Sequence, residues 1–273
     1  MAPQKIHLID GQNQFFLKYA KATSYQDLVN RCIQLNWGFD QVYWVFDGYD
    51  SRKPRRELYP EYKNTASRAK NRLDTTKYDM LNDFKKIDLP NHGVIVIEVP
   101  FFEADDVIRK LVNHHANGDN LITISSNDAD LLDLTRFKGV TQPQAKFPAV
   151  CQDPVYLPIY KTLVGDTGDN IKGLKGFGDG AWAKLSDGDM RLIASCLWNK
   201  IRIDQDSVMD DEKLKAKLIE HWDSVALWYK LVDYIDVPDD AIQANLRIHP
   251  RKTPKNPVAF VDTKRPSLSM DTL

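Results

Sequence analysis

The chain has 273 residues, of which 42% are hydrophobic and 27% are charged, and its formal net charge is −1. This length allows one large domain or two modest ones, and the near-zero charge excludes attraction of a polyanion by the molecule as a whole. The three cysteines show no CxxC spacing, which argues against a disulfide framework and against a zinc site. No apolar run reaches the length of a membrane span and the N-terminus is too polar for a secretory signal, so we expect a soluble intracellular protein.

Short apolar runs alternate with amphipathic segments over about the first 140 residues. Strands are predicted at 6–9, 42–46, 94–99 and 121–125, and helical spacing is found at 13–35, 74–84 and 107–112. This alternation predicts an α/β fold with a mostly parallel central sheet flanked by helices. We place this domain at residues 1–150, because prolines cluster between 141 and 158.

The second part of the chain is predicted to be helical. A short helix over 158–164 precedes a glycine-punctuated stretch over 165–185, and a strong amphipathic pattern covers 212–232. We assign residues 151–240 to this helical region. Residues 241–273 are expected to form a proline-rich, basic and loosely attached tail.

Carboxylates follow the predicted strands at the point where each strand ends. Acids close four strands or lie within three residues of those positions: Asp10, Asp47, Glu103, Asp105, Asp106, Asp128 and Asp130. Because the carboxyl ends of parallel strands meet at one edge of a sheet, we expect these side chains to share one pocket. Helix capping would explain Asp10 or Asp47 alone, but it needs only one acid for each helix.

Crowded carboxylates require a counter-charge. Two of them 4 Å apart repel by about 4 kcal/mol at an effective dielectric constant near 20. A hard divalent cation with oxygen ligands offsets this repulsion, and magnesium or manganese is the natural choice. Zinc is disfavoured, because no His or Cys stands near these acids in the sequence.

A basic segment at about 51–84 separates two of the acid-bearing strands. Most charge runs are solvated loops, but this one has interleaved tyrosines and neighbours a carboxylate pocket, which fits a phosphodiester substrate. Its candidate residues are Arg52, Lys53, Arg55, Arg56, Tyr59, Tyr62, Lys63, Arg68, Lys70 and Arg72.

Gly173, Gly176 and Gly178 interrupt the helical part without following a strand. Their spacing is not GxGxxG, so a hairpin between two helices is favoured over a dinucleotide site. Backbone N–H groups at a helix start can hold a phosphate, although a plain helix–turn–helix packing element would need the same glycines. Positive charge at this hairpin comes from Lys172, Lys175 and Lys184.

Taken in order, these motifs resemble the 5′-nucleases of the flap endonuclease type, and most closely the bacteriophage 5′–3′ exonucleases. The resembling stretches are 8–11, 46–48, 56 with 59–63, 103–106, 128–130, and 165–171 with the glycine hairpin behind it. The resemblance implies a PIN-like α/β nuclease domain with a helical arch at about 51–84. It also implies a C-terminal helix–three-turn–helix module whose hairpin covers 165–185.

The resemblance further implies hydrolysis of DNA from or near a free 5′ end, in replication or repair. Two magnesium ions, for which manganese would substitute, would hold the scissile phosphate, and Lys63 and Arg56 would neutralise its charge. The implied metal ligands are Asp10, Asp47, Glu103, Asp105, Asp106, Asp128, Asp130, Asp166 and Asp169. The basic segment and the hairpin would contact DNA, and the hairpin would also hold a potassium ion.

The implied setting is a monomer in the cytoplasm, or in the host cytoplasm for a bacteriophage protein. Its partners would be DNA with a 5′ end, flap or nick, and RNA–DNA hybrids. A phosphatase of the haloacid dehalogenase type is an alternative, but such an enzyme requires a second Asp two positions after the first, where this chain has Gln12. A PIN-type ribonuclease and a non-catalytic DNA-binding protein on the same scaffold are the others.

Overall fold

A six-stranded sheet forms the centre of the computed structural model, which describes residues 3–65, 75–116 and 118–250. The strands are β1 (Lys5–Asp10), β2 (Gln41–Asp47), β3 (Ile95–Val99), β4 (Leu121–Ser125), β5 (Val140–Thr141) and β6 (Leu246–Ile248). They lie in the order β5–β4–β1–β2–β3–β6, and only β6 runs antiparallel to its neighbour. The predicted α/β fold with a mostly parallel sheet is confirmed.

Helices cover both faces of the sheet. Those of the first half are α1 (Gly11–Tyr19), α2 (Tyr25–Ile33), α3 (Lys53–Leu58), α4 (Thr76–Asp83) and α5 (Ala104–His115). Successive strand residues point to opposite faces, so Ile9 and Trp44 pack with α1, α2 and α4. Leu8 and Val45 pack with α5 on the other face. Both faces are therefore buried, which explains the near-continuous apolar strands.

The second half of the chain builds its own helical core. Its helices are α6 (Leu157–Val164), α7 (Asp179–Trp182), α8 (Asp187–Asn199), α9 (Glu212–Val232) and α10 (Asp239–Asn245). Leu163, Ile193 and Leu218 belong to its buried cluster. The helix predicted over 212–232 is present, with non-helical backbone angles at His221. Within the described ranges, no helix has both the length and the apolar character needed to cross a membrane.

Two sequence-based expectations are corrected by the fold. The segment 13–35 is two helices rather than one, because Ser24 ends the loop and its side chain caps α2 through the Asp27 N–H. The tail predicted from residue 241 begins too early, since Ile242 is buried and β6 pairs with β3. Residues 251–273 of that tail lie outside the described part of the chain.

The glycine-rich stretch after α6 is a tightly folded loop. Gly173 has φ +65°, and a Cβ there would lie 2.5 Å from the backbone carbon of Val164. The helix that follows is the four-residue α7, where the sequence predicts a helix over 181–185. The helix–three-turn–helix module stays a prediction, and so does the boundary between the two domains at residue 150.

Replacing Gly48 by Ala should destabilise the protein, because a Cβ at this position would lie 1.7 Å from the carbonyl oxygen of Val99. Relieving that overlap must shift the adjoining ends of β2 and β3, at a cost of about 3 kcal/mol in the free energy of unfolding. Urea denaturation of the variant and the wild type measures the difference in the free energy of unfolding. Gly180→Ala is the matched control and should leave stability unchanged, since nothing lies within 4 Å of its Cβ position. Equal stability of the two variants would contradict the close approach of these strand ends.

Candidate functional site

The strand order brings the predicted acids together at one edge of the sheet. Because β1 lies between β4 and β2, Asp10 at its end is flanked by Asp128 and Asp47. Asp105, in the first turn of α5, and Glu103 complete the group. These five acids line one cavity of about 250 Å³.

Local hydrogen bonds hold several of these carboxylates in place. Asp10 accepts a hydrogen bond from the Asn13 N–H at 3.2 Å, and so caps α1. Asp128 accepts from the N–H two residues later at 3.0 Å, and Asp47 accepts from the Ala104 N–H at 2.9 Å. Capping therefore contributes to the acid pattern, but it does not explain why the capped ends meet at one cavity.

Three of the acids have the geometry of a metal site. Asp105, Asp128 and Asp130 each offer a carboxylate oxygen, and these oxygens lie within 4.8 Å of one another. All three side chains are half-buried. Carboxylate oxygens are the ligands of hard cations such as magnesium and manganese, so the donor set fits a divalent cation of this class.

Burial and mutual repulsion change the acidity of the group. Burial raises the pKa of Asp10 to about 7, and repulsion from Asp47 and Asp128 adds to the rise. Burial, followed by repulsion from Asp128, raises the pKa of Asp105 well above its usual range. Burial and then Glu103 also raise the pKa of Asp47. A cation binding here therefore competes with protons.

Glu103 lines the same cavity but is already surrounded by cations. Its Oε1 accepts from Lys63 Nζ at 2.8 Å, and its Oε2 accepts from Arg55 Nη1 at 3.1 Å and from the Tyr62 hydroxyl at 2.8 Å. Burial alone would raise the pKa of Glu103, but Lys63 and Arg55 outweigh it and bring the pKa to about 2. Its direct contact with a metal stays a prediction.

Arg55 and Asp106 form a buried bidentate ion pair behind the cavity. The guanidinium donates to the two carboxylate oxygens at 2.9 and 2.8 Å, and the residues are 4% and 1% exposed. Arg55 also donates to the Leu231 carbonyl, and Asp106 accepts from the Ile235 N–H. This pairing argues against the predictions that Arg55 contacts DNA and that Asp106 binds a metal, because these groups already satisfy each other in the interior.

Lys63 lies where the basic segment meets the acids. It has φ +52° and lines the cavity, and its Nζ is 3.8 Å from Asp169 Oδ1. Tyr62 is only 2% exposed, which argues against the prediction that it contacts DNA. Arg56 donates to the carbonyl of Tyr62, and Arg52 is the arginine that lines the cavity instead.

Lys161 is a site residue that the sequence analysis did not single out. Its Nζ contacts Asp130 and lies 2.9 Å from Asp166 Oδ2. Burial would raise the pKa of Asp166, but the nearby Lys161 lowers it. The sequence does single out Lys161 in one respect: it is the charged residue of the otherwise uncharged helix α6.

The remaining predicted DNA contacts fall into four groups. Exposed positions are Lys53, Lys172, Lys175, Gly176, Gly178 and Lys184, whereas Arg52 and Tyr59 are half-buried and Gly173 is buried. Three further residues, Arg68, Lys70 and Arg72, lie outside the described residues. Contact of any of them with DNA stays a prediction.

Comparison with known proteins identifies the family of this chain. Residues 5–146 match the family model described as "5′-3′ exonuclease, N-terminal resolvase-like domain". A 5′-3′ exonuclease of Aquifex aeolicus is 28% identical over 143 residues, which are 49% of this chain and 47% of that protein. DNA polymerase I of Caldicellulosiruptor bescii is 32% identical over 162 residues, 54% of this chain and 18% of the polymerase. The chain thus spans less than half the length of these two relatives.

Solved structures show the same fold over most of the chain. The 5′-exonuclease of bacteriophage T5 with bound zinc aligns with a TM-score of 0.64 and 19% identity, covering 88% of this chain and 96% of that one. The bacteriophage T5 flap endonuclease in a complex with DNA and metal ions aligns with a TM-score of 0.59 and 19% identity, covering 88% and 92%. At this level of identity the likeness is one of fold.

Asp10→Asn should stabilise the metal-free protein at pH 8. The folded-state pKa near 7 exceeds the value of about 3.9 in an unfolded chain, so the free energy of unfolding falls as pH rises between these values. Asparagine removes the charge and keeps an oxygen for the cap. Thermal melts in EDTA should show a gain of at most about 4 kcal/mol at pH 8, shrinking at pH 5. If Asp10→Asn is less stable than the wild type at pH 8, burial and repulsion of the Asp10 carboxylate do not destabilise the metal-free protein.

Arg55→Met should destabilise the fold by about 3–5 kcal/mol, because it leaves the carboxylate of Asp106 buried without its partner. Denaturant titration measures the loss. Arg52→Met is the control: this arginine is half-exposed and 3.7 Å from Glu103, so less than about 1 kcal/mol is expected. Adding Asp106→Leu to Arg55→Met should recover part of the loss. If the double variant is no more stable than Arg55→Met, loss of the ion pair is not the cause of the destabilisation.

Proposed function

The chain belongs to the 5′-3′ exonuclease family, whose model matches residues 5–146, and we propose that it acts as a metal-dependent 5′-nuclease. Its substrate would be DNA with a 5′ end, flap or nick, cleaved as an exonuclease, a flap endonuclease or both, in replication or repair. The observation that carries the proposal is the cluster of Asp105, Asp128 and Asp130, whose oxygens lie within 4.8 Å of one another.

Magnesium is the proposed metal, with manganese as a substitute. Asp105, Asp128 and Asp130 would hold one ion, and such an ion polarises a phosphodiester and lowers the pKa of a bound water. The T5 proteins of the same fold, one with zinc and one with DNA and metal ions, support a metal at this site. Lys161 contacts both Asp130 and Asp166, so the first ion and a second ion beside Asp166 would each compete with its ammonium group.

The chain's own cations make the acid cavity accessible to a phosphate. Lys63 and Arg52 line the cavity beside the acids, so they would neutralise charge on the substrate and oppose repulsion by the carboxylates. Glu103 accepts a hydrogen bond from Lys63 and keeps its ammonium at the cavity wall. Since the pKa of Asp10 is about 7 before a metal binds, binding of the metal should weaken as pH falls below neutral.

Exposed lysines offer a second contact surface for DNA. Lys172, Lys175 and Lys184 surround the glycine loop after α6 and would bind backbone phosphates with a strong dependence on salt. We extend the proposal to a potassium ion at this loop, to RNA–DNA hybrids as further substrates, and to a monomer acting in the cytoplasm.

Asp128→Asn should reduce magnesium-dependent cleavage at least about 100-fold while leaving the fold intact, because asparagine keeps a capping oxygen but loses the ligand charge. The assay uses 5′-labelled duplex, 5′-flap and RNA–DNA hybrid substrates, and product length distinguishes the activities. Asp119→Asn, an exposed acid paired with Lys138, is the control and should cleave like the wild type. Wild-type cleavage by Asp128→Asn would refute the metal assignment, and cleavage of RNA alone would favour a ribonuclease.

A further inference from the structure

Two aromatic rings stand exposed in the turns that follow β2 and β3. Tyr49 is 76% exposed and Phe101 is 42% exposed, and their ring centroids lie 6.4 Å apart in an edge-to-face arrangement. The Nζ atom of Lys53 is 5.6 Å from the centroid of the Phe101 ring. We call Tyr49, Phe101 and Lys53 the aromatic platform. Rings this exposed contribute little to the hydrophobic core, so their presence here calls for another reason.

Short backbone segments connect the platform to the site. Tyr49 follows Asp47 by two residues, and Phe101 precedes Glu103 by two residues. The Cα atom that carries each ring therefore lies within about 7 Å of the Cα atom of an acid that lines the cavity. The Phe101 N–H donates to the Tyr49 carbonyl at 2.8 Å, which joins the two turns. The platform is therefore held in a defined position relative to the cavity.

The backbone of Phe101 is strained. Its φ of +68° lies in the left-handed region, which is unfavourable for a bulky side chain and which glycine would adopt freely. A second hydrogen bond, from the Gly48 N–H to the Phe102 carbonyl at 3.0 Å, helps to hold this turn. An aromatic residue kept in a strained and exposed conformation two residues before an acid that lines the cavity indicates a functional role.

We propose that the aromatic platform stacks an unpaired nucleobase of the DNA strand whose phosphate enters the acid cavity. Every base has an aromatic face, so exposed rings bind single strands without sequence preference. Lys53 and the adjacent Arg52 add positive charge that favours the phosphates of the same strand. The inference rests on the proposed nuclease function and adds to it the single-stranded part of the substrate.

Tyr49→Leu and Phe101→Leu test the platform, because leucine keeps apolar bulk and removes the aromatic face. A 5′-flap substrate carries 2-aminopurine in its unpaired segment, and a second flap carries abasic sites there. In EDTA, the wild type should quench the 2-aminopurine, and each variant should lose quenching and bind the base-containing flap roughly tenfold more weakly. On the abasic flap the variants and the wild type should bind equally. Trp37→Leu removes a ring that is 65% exposed elsewhere on the chain and should change nothing.

Phe101→Gly separates strain from recognition. Glycine accepts the positive φ, so this variant should melt at least as high as the wild type while losing the quenching. Two results would overturn the proposed stacking: variants that quench 2-aminopurine as strongly as the wild type, or variants that lose the same affinity for the base-containing flap and for the abasic flap. The proposed function fails on a different result, the absence of magnesium-dependent cleavage by the wild type.

Discussion

Repulsion between buried carboxylates at the ends of the central strands is the constraint to which the surrounding structure responds. The sheet order leaves Asp10 between the acids of two neighbouring strands, and burial with this repulsion raises its pKa to about 7. Cations from separate parts of the chain offset the charge: Lys63 beside Glu103, and Lys161 beside Asp166. Such a site is poised for a divalent metal, since the metal replaces protons on groups that are costly to ionise alone.

The buried Arg55–Asp106 pair extends this charge balance into the fold. Arg55 comes from the base of the basic segment, Asp106 from α5, and the Leu231 carbonyl that Arg55 also contacts from α9. One guanidinium thereby ties together three elements that are distant in sequence. Glu103 joins this pair to the cavity, because it accepts hydrogen bonds from both Arg55 and Lys63.

Much of the site could be predicted from the sequence, because buried strands are recognised as apolar runs and the acids that follow them are read from the sequence. The sequence does not distinguish neighbouring residues of the same chemistry. Arg55 and Arg56 look alike in sequence, but the turn of α3 buries the first and leaves the second half-exposed. β6 was missed because its three residues form a strand only through pairing with β3.

The sequence by itself determined the α/β class, the family and the set of acids available for a metal, because periodicity and motif order are properties of the chain. Only the tertiary structure decided which acids share a cavity and which cations neutralise them. Asp105 and Asp128 line that cavity with Asp130 close to them, whereas Asp106, next to Asp105 in sequence, points into an interior ion pair. The reason is helical geometry: consecutive residues of α5 face different directions, and the packing around them sets what each side chain meets.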